Sequence, residues 1–395
     1  MRRGVSCKYP IQSRYTSDVT TDDSSSRRLE SESASSRLPR EISPSFQAAP
    51  LQPLQIYNSQ LTVPSARVRG TSTLSDASLP PRPTSQCSFP MGHLALLHHW
   101  TWSTSLSICR ESGSSDMWQR VFPEIGFEHP FVTHAILSLA ALHLAHTHKT
   151  MGDANVVRAA ERHNEALLGF RQSVANITEG NSEALFVWSL LNMIYVFGIA
   201  VCDRTVAEDK DLVLGFEWIP MIRGIHAVLV PTHNYLRFGR MQKMMSVGNW
   251  DDLKPGSIES GRVDGYLCRT RETWENSNQA ETYDEALEVL RKCWIFIQQF
   301  EGMGATALAE WGYNRSWSGP LMFIHFAPQA FFTLLHQRQP PALVLFTYFG
   351  ALLHGINHYW FMQGWGRKVV EVASDLLGSY WRPWIAWPLK VVGPD

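Results

Sequence analysis

The sequence has almost no net charge. Its 35 Lys and Arg stand against 36 Asp and Glu, leaving −1 at pH 7 with histidines neutral. No global field therefore draws the chain to nucleic acid or to anionic lipid, and any charge used for binding has to be local. Cysteine is thin as well: six residues, Cys7, Cys87, Cys109, Cys202, Cys268 and Cys293, without one C-x2-C pair. That spacing spells neither a complete zinc site nor a compact disulfide framework, and reduced thiols in the cytosol or nucleus are the plain reading. The opening MRRGVSCKYPIQSRY lacks the apolar core of a secretory signal. No stretch alternates at the strand period over a useful length, and no internal repeat is visible. The common catalytic signatures are missing too: no P-loop, no G-x-G-x-x-G after a strand, no H-E-x-x-H and no G-x-S-x-G elbow. The expectation is a protein that is not an enzyme.

What is present is apolar and helical. At 395 residues and 44% hydrophobic, the chain can bury a sizeable core. Residues 11–90 are rich in Ser, Thr, Pro, Gln and Arg, as in SSSRRLESESASSRLPR. Such a composition cannot bury enough apolar surface to offset its ordering entropy and predicts a disordered linker. Arg27, Arg28, Arg37 and Arg40 read either as part of a nuclear import signal or as solvated linker.

From Met91 onward the apolar residues recur at helical intervals. Ser115 and Asp116 predict the cap of a short helix that ends before Pro123. Residues 129–148 place Phe131, Ala135, Ile136, Leu139 and His143 on one face. Residues 156–177 form an amphipathic stripe through Ala159, His163, Leu167 and Phe170. Residues 184–202 are apolar on nearly every side. Further helices are predicted over 215–230, 283–300, 321–336 and 342–362, the last over 368–380, with a long surface loop over 246–281. The fold class is all-α: a large multi-helix domain after the N-terminal segment.

Residues 184–202 and 342–361 are apolar enough to be transmembrane candidates. Asn192 in the first and His354, Asn357 and His358 in the second argue against lipid, as does the lack of a clear Lys/Arg flank. Two buried central helices explain the same residues, and no membrane spanning is expected. His354 with His358 and His143 with His146 have the spacing of paired metal ligands, but no further ligand lies nearby in sequence. Rings crowd the C-terminus at Tyr359, Trp360, Phe361, Trp365, Tyr380, Trp381, Trp384 and Trp387. With only Arg367, Lys368 and Arg382 among them, they fit helix packing around an apolar cavity better than a nucleic-acid stacking surface.

Residues 340–388, PPALVLFTYFGALLHGINHYWFMQGWGRKVVEVASDLLGSYWRPWIAWP, resemble the end of the effector domain of fungal binuclear zinc cluster transcription factors of the sterol-uptake-control type. HWTWSTSLSI, HPFVTHAILSLAALHLA and the N-x-x-A-L-F-x-x-S-x-L run over 181–191 resemble its opening helices. Beside these blocks, RRGVSCKYP around Cys7 looks like the tail of that family's DNA-binding zinc cluster, in which six thiolates hold two zinc ions. Cys7 alone is a remnant ligand of an incomplete site.

The resemblance implies three parts: a cluster remnant over 1–10, the linker over 11–90 and a helical effector domain over 91–395. It implies a nuclear regulator, shuttling from the cytoplasm, that meets DNA only through a restored cluster. Zinc is its cofactor only if a longer N-terminus completes the site, and the chain as given carries none. A sterol or other apolar ligand, the transcription machinery or coregulators, and a second copy in a homodimer are the partners it allows. The alternative readings are an apolar-ligand binding protein without DNA binding and a multi-helix membrane protein. The switch is placed at Gln363-Gly364-Trp365-Gly366, where Gly364 and Gly366 flank a large anchor, Trp365; a plain helix-breaking turn explains the same residues. Which residues hold a ligand is left open. Genomic sequence upstream of the start codon is expected to encode further cysteines and basic residues in frame, and a stop codon there would oppose that.

Overall fold

A computed structural model describes residues 90–109, 115–148, 152–203, 209–245, 249–256, 261–300, 303–304, 306 and 318–393. All of them fall within the unit Thr84–Asp395. The expectations for the linker, for its arginines and for Cys7 lie outside the described residues. Among those described there is no strand, as the all-α reading requires.

The first rod is α1 (Met91–His99), which passes through a π-turn at Trp100–Thr104 into α2 (Ser105–Ile108). A second π-turn, Met117–Val121, leads into α3 (Phe122–Glu128). Pro123 does not end this segment as expected. It lies inside a helical run that continues unbroken from Ser115 to Glu128, and the Trp118 carbonyl of the preceding turn accepts the Trp100 indole Nε1–H at 2.9 Å. Asp116 does not cap with its side chain; both its oxygens take the Arg120 guanidinium, at 2.8 and 2.9 Å.

The following helices are α4 (Pro130–Thr147), α5 (Gly152–Val174) and α6 (Glu179–Cys202). α4 packs on α3, α5 and α6. Two details let α4 and α5 approach. Ser138 Oγ donates to the Ala159 carbonyl at 2.7 Å, and Gly169 lies where a Cβ would strike Phe131. α6 begins earlier than the sequence pattern suggests, capped by Thr178. Asn181 is the third residue of a capping box, its Oδ1 accepting the Thr178 N–H at 2.8 Å. α6 is the one helix among the described residues long and apolar enough to cross a membrane, and 72% of that apolar window is buried inside the fold. Each large side chain it buries contributes about 1.5–3 kcal/mol, so its apolar surface serves the core.

α7 (Lys210–Val213) and α8 (Trp218–Phe238) come next. α8 runs beyond residue 230, with Pro231 inside it. The expected surface loop over 246–281 is partly ordered helix: Trp250–Asp252, α9 (Gly261–Arg269) and Thr270–Thr273, with Trp250, Leu267 and Trp274 buried. Polar composition hid those three anchors. Arg291 pins α9 to α10 (Ala280–Gln298), meeting Asp264 at 2.6 Å and Glu288 at 2.6 Å.

The helix expected over 321–336 is two, α11 (Ser318–Phe326) and α12 (Gln329–His336), broken at Pro328. Arg223 of α8 makes the break tenable. Its Nη1 donates to the Ile324 and Ala327 carbonyls, 2.8 Å each, and its guanidinium lies 5.1 Å over the Phe332 ring. α13 (Pro340–His354) is buried at every position from Ala342 to Leu353 and packs against α10, α11, α12, α14 (Trp365–Leu377) and α15 (Arg382–Val391). It stops at His354 rather than running to 362, and at 15 residues it spans only about 22 Å, short of the ~30 Å of a bilayer core. α15 is a further helix beyond the expected last one.

Two predictions follow from this packing. Arg223→Leu strands two carbonyls and is expected to cost about 2–4 kcal/mol in urea unfolding; a loss under 1 kcal/mol would contradict the bridging role. His163 of α5 stacks on Tyr195 of α6 at 3.8 Å, and burial holds its imidazole down at about 4 against an ordinary 6.5. The fold favours the neutral ring, so this stabilisation is complete above pH 6.5 and is lost as pH falls toward 4. The urea midpoint is expected to drop over that window and to drop less steeply in His163→Phe, which keeps the stack; equal slopes would count against it.

Candidate functional site

Where α13 meets α14 the chain makes a tight return. The 3-10 turn Trp360–Met362 ends it, and Gly364 caps α14 with φ +82°, a left-handed conformation that glycine adopts without strain. Its N–H donates to Asn357 Oδ1 at 2.6 Å, and a Cβ there would face open space. Gly366, two residues on, is different. A Cβ would fall onto the backbone of His354 and the carbonyl of Gly350, so this glycine is required by close approach of two backbones. Gly350 answers it from α13, crowded by Val369 and Val370 at 2.9 Å.

Trp365 points inward between these glycines and is 5% exposed. Its Nε1–H donates to the Phe197 carbonyl of α6 at 3.0 Å. Its ring meets Phe197 edge-on at 5.1 Å and Trp218 of α8 at 6.3 Å. Three elements distant in sequence thus converge on one indole. The predicted trio Gly364, Trp365 and Gly366 is together by chain continuity; Phe197, Trp218, Asn357 and Gly350 complete it, and sequence reading missed them. Only Gly350 left a signal, as a lone glycine inside an apolar helix.

A histidine cluster lies against the same turn. His143 Nδ1 is 3.2 Å from His99 Nε2 and 3.2 Å from Thr104 Oγ1, and its ring packs on Trp360 at 5.2 Å. Burial, then the neighbouring His99, pushes its imidazole down to about 4. Among the described residues no group of three or more His, Cys, Asp or Glu is arranged to hold a metal ion. Cys202, Cys268 and Cys293 are free thiols.

Two surface clefts flank this core. The larger, about 880 Å³, is lined by Trp250 and Phe326 and by Glu281, Asp284, Glu285 and Val289 of α10. The smaller, about 410 Å³, lies between α9 and α15. The C-terminal rings are spent on packing around it: Trp387 stacks on Tyr348 at 5.5 Å and meets Trp294 edge-on at 5.9 Å, and Trp384 Nε1–H donates to Glu272 at 2.9 Å.

Residues 95–214 match the model of the fungal specific transcription factor domain. Over 331 residues the chain is 24% identical to a Zn(2)-C6 fungal-type transcription factor of Gibberella zeae, covering 77% of this chain and 62% of that protein. It is 26% identical over 176 residues to sterol uptake control protein 2 of Candida albicans, covering 44% of this chain and 24% of that protein. Against sterol uptake control protein 2 of Saccharomyces cerevisiae the figures are 25% over 159 residues, 39% and 17%. The chain thus spans about three fifths of the first relative and a quarter or less of the other two.

The two glycines of the return are expected to respond differently to a methyl group. Gly366→Ala should destabilise by more than about 3 kcal/mol, because the atoms it meets are backbone. Gly364→Ala should cost about 1 kcal/mol, the left-handed penalty alone. Thermal unfolding of both variants checks this, and equal losses would contradict the close-approach role of Gly366.

Proposed function

We propose that this chain, a member of the fungal binuclear zinc cluster transcription factor family, is a transcription regulator whose helical domain senses a sterol or another apolar small molecule. The observation that carries the reading is the match over residues 95–214 together with the likeness to two sterol uptake control proteins. Transcription factors of this family act in the nucleus on DNA and through coregulators, and that is where this chain is expected to work. Its relatives are regulators, and its activity is regulatory rather than catalytic.

The mechanism is a shift between two packings of the C-terminal helices. Trp365 is the lever. Its single indole hydrogen bond and two edge contacts tie the return to α6 and α8, so an apolar ligand that competes for this contact changes how α14 is held. Gly364 is the pivot, since its left-handed backbone with open space around it can change φ without collision. Gly366 resists instead, keeping α14 against α13 in both states. An equilibrium of this kind moves tenfold for each ~1.4 kcal/mol of differential binding.

DNA contact in this reading belongs to a zinc cluster with Cys7 among its ligands. One thiolate does not hold two zinc ions, and the described residues bring no set of three ligands together. No step of the switch runs through zinc. An apolar-ligand binding protein without transcriptional work is the competing reading.

The test is a fusion of the full chain to a heterologous DNA-binding module in yeast, with a reporter read at normal sterol and after sterol depletion. Output is expected to change severalfold on depletion. Gly364→Asp, which strains the pivot by about 1–2 kcal/mol, should raise or lower output at normal sterol at unchanged protein level. Output indifferent to both, from protein excluded from the nucleus, would favour the competing reading.

A further inference from the structure

We infer that the cleft between α9 and α15 binds a small organic carboxylate, its charge held between Arg262 and Lys390 and its apolar body laid along Tyr266 and Trp387. At about 410 Å³ the cleft falls within the range of small-molecule sites, roughly 300–1,000 Å³. Val263 and Ala386 add to its apolar lining.

The charge is the first argument. No ion pair among the described residues includes Arg262 or Lys390. Two carboxylates on or just after α9 are already engaged: Asp264 with Arg291 at 2.6 Å, and Glu272 with Arg269 at 3.5 Å and the Trp384 indole at 2.9 Å. Lys390 is favourably placed on its helix, in the last turn of α15 where it complements the helix dipole. Arg262 is not. It is the second residue of α9, where the dipole disfavours a cation, and a bound anion resolves that conflict.

The second argument is that the cleft is held open in advance. The Tyr348 hydroxyl, on buried α13, lies 3.1 Å from the Tyr266 carbonyl and 2.8 Å from the Trp384 carbonyl, so one group ties both walls to the core. Its ring supports Trp387 from beneath at 5.5 Å. A pre-formed site spares the ligand the cost of ordering its walls. Two cations match one carboxylate; they are too few to track a nucleic-acid backbone. The site is separate from the sterol reading above, because a sterol carries no charge, and it stands or falls without it.

Titration of the full chain with 2-naphthoate and with laurate, followed by calorimetry, tests the site beside Arg262→Gln/Lys390→Gln, whose exposed positions leave the fold intact. Saturable binding that weakens at least tenfold in the double variant is expected, with uncharged 2-naphthylmethanol binding both proteins alike. Carboxylates that bind both proteins equally, or neither, overturn the inference. So does binding confined to phosphatidylserine vesicles, which would assign the two cations to a lipid surface.

Discussion

The contact between Gly350 and Gly366 brings the backbones of α13 and α14 closer than any side chain would permit, and the C-terminal half is arranged around it. Because α14 is pressed onto α13 there, Trp365 is aimed away from its own helix partner and into α6 and α8. The return loop must then be short and sharply turned, which calls for a positive φ at Gly364. A methyl group at Gly366 would push the two rods apart and withdraw the indole from Phe197. One spacing thus sets the anchor, the turn and the joint between the halves of the domain.

Three arginines carry charge to the joints between helices. Arg223 crosses from α8 to the break at Pro328 without a carboxylate, satisfied by two helix-end carbonyls and a phenyl face. Arg291 ties α9 to α10, and Arg240 reaches both Glu128 and Glu183 at 3.1 and 2.7 Å, binding α3 and α6 to the segment after α8. The more exposed Arg240–Glu128 pair contributes little to stability, whereas Arg291 and Asp264 are largely buried. The geometry of these pairs still decides which helix ends lie together, while apolar burial provides most of the stability.

The helical class was readable from periodicity, and so were the central helices. α6 and α13 are apolar on nearly every side, and a helix of that kind is surrounded by others. Breaks were less readable. Pro123 and Pro231 sit inside helical segments, whereas Pro328 does end one; the difference lies in who satisfies the freed carbonyls, and Arg223 is 101 residues away from Ile324 in sequence. The polar stretch after residue 246 concealed buried Trp250, Leu267 and Trp274 because single anchors among polar residues make no periodic pattern. Of the candidate switch, the loop residues were legible, but their unlike roles were not. Gly364 and Gly366 look the same in a sequence and differ only in what stands next to them.

By itself, then, the sequence determined an all-helical domain with apolar helices at its centre, and a C-terminal block whose glycines and tryptophans mark a turn, because these follow from local composition and period. Tertiary structure alone decided that Trp365 meets Phe197 and Trp218, that Gly366 is a contact rather than a freedom, and that Arg262 and Lys390 share one cleft. Each of those depends on atoms brought together from far along the chain, and no local pattern encodes that distance.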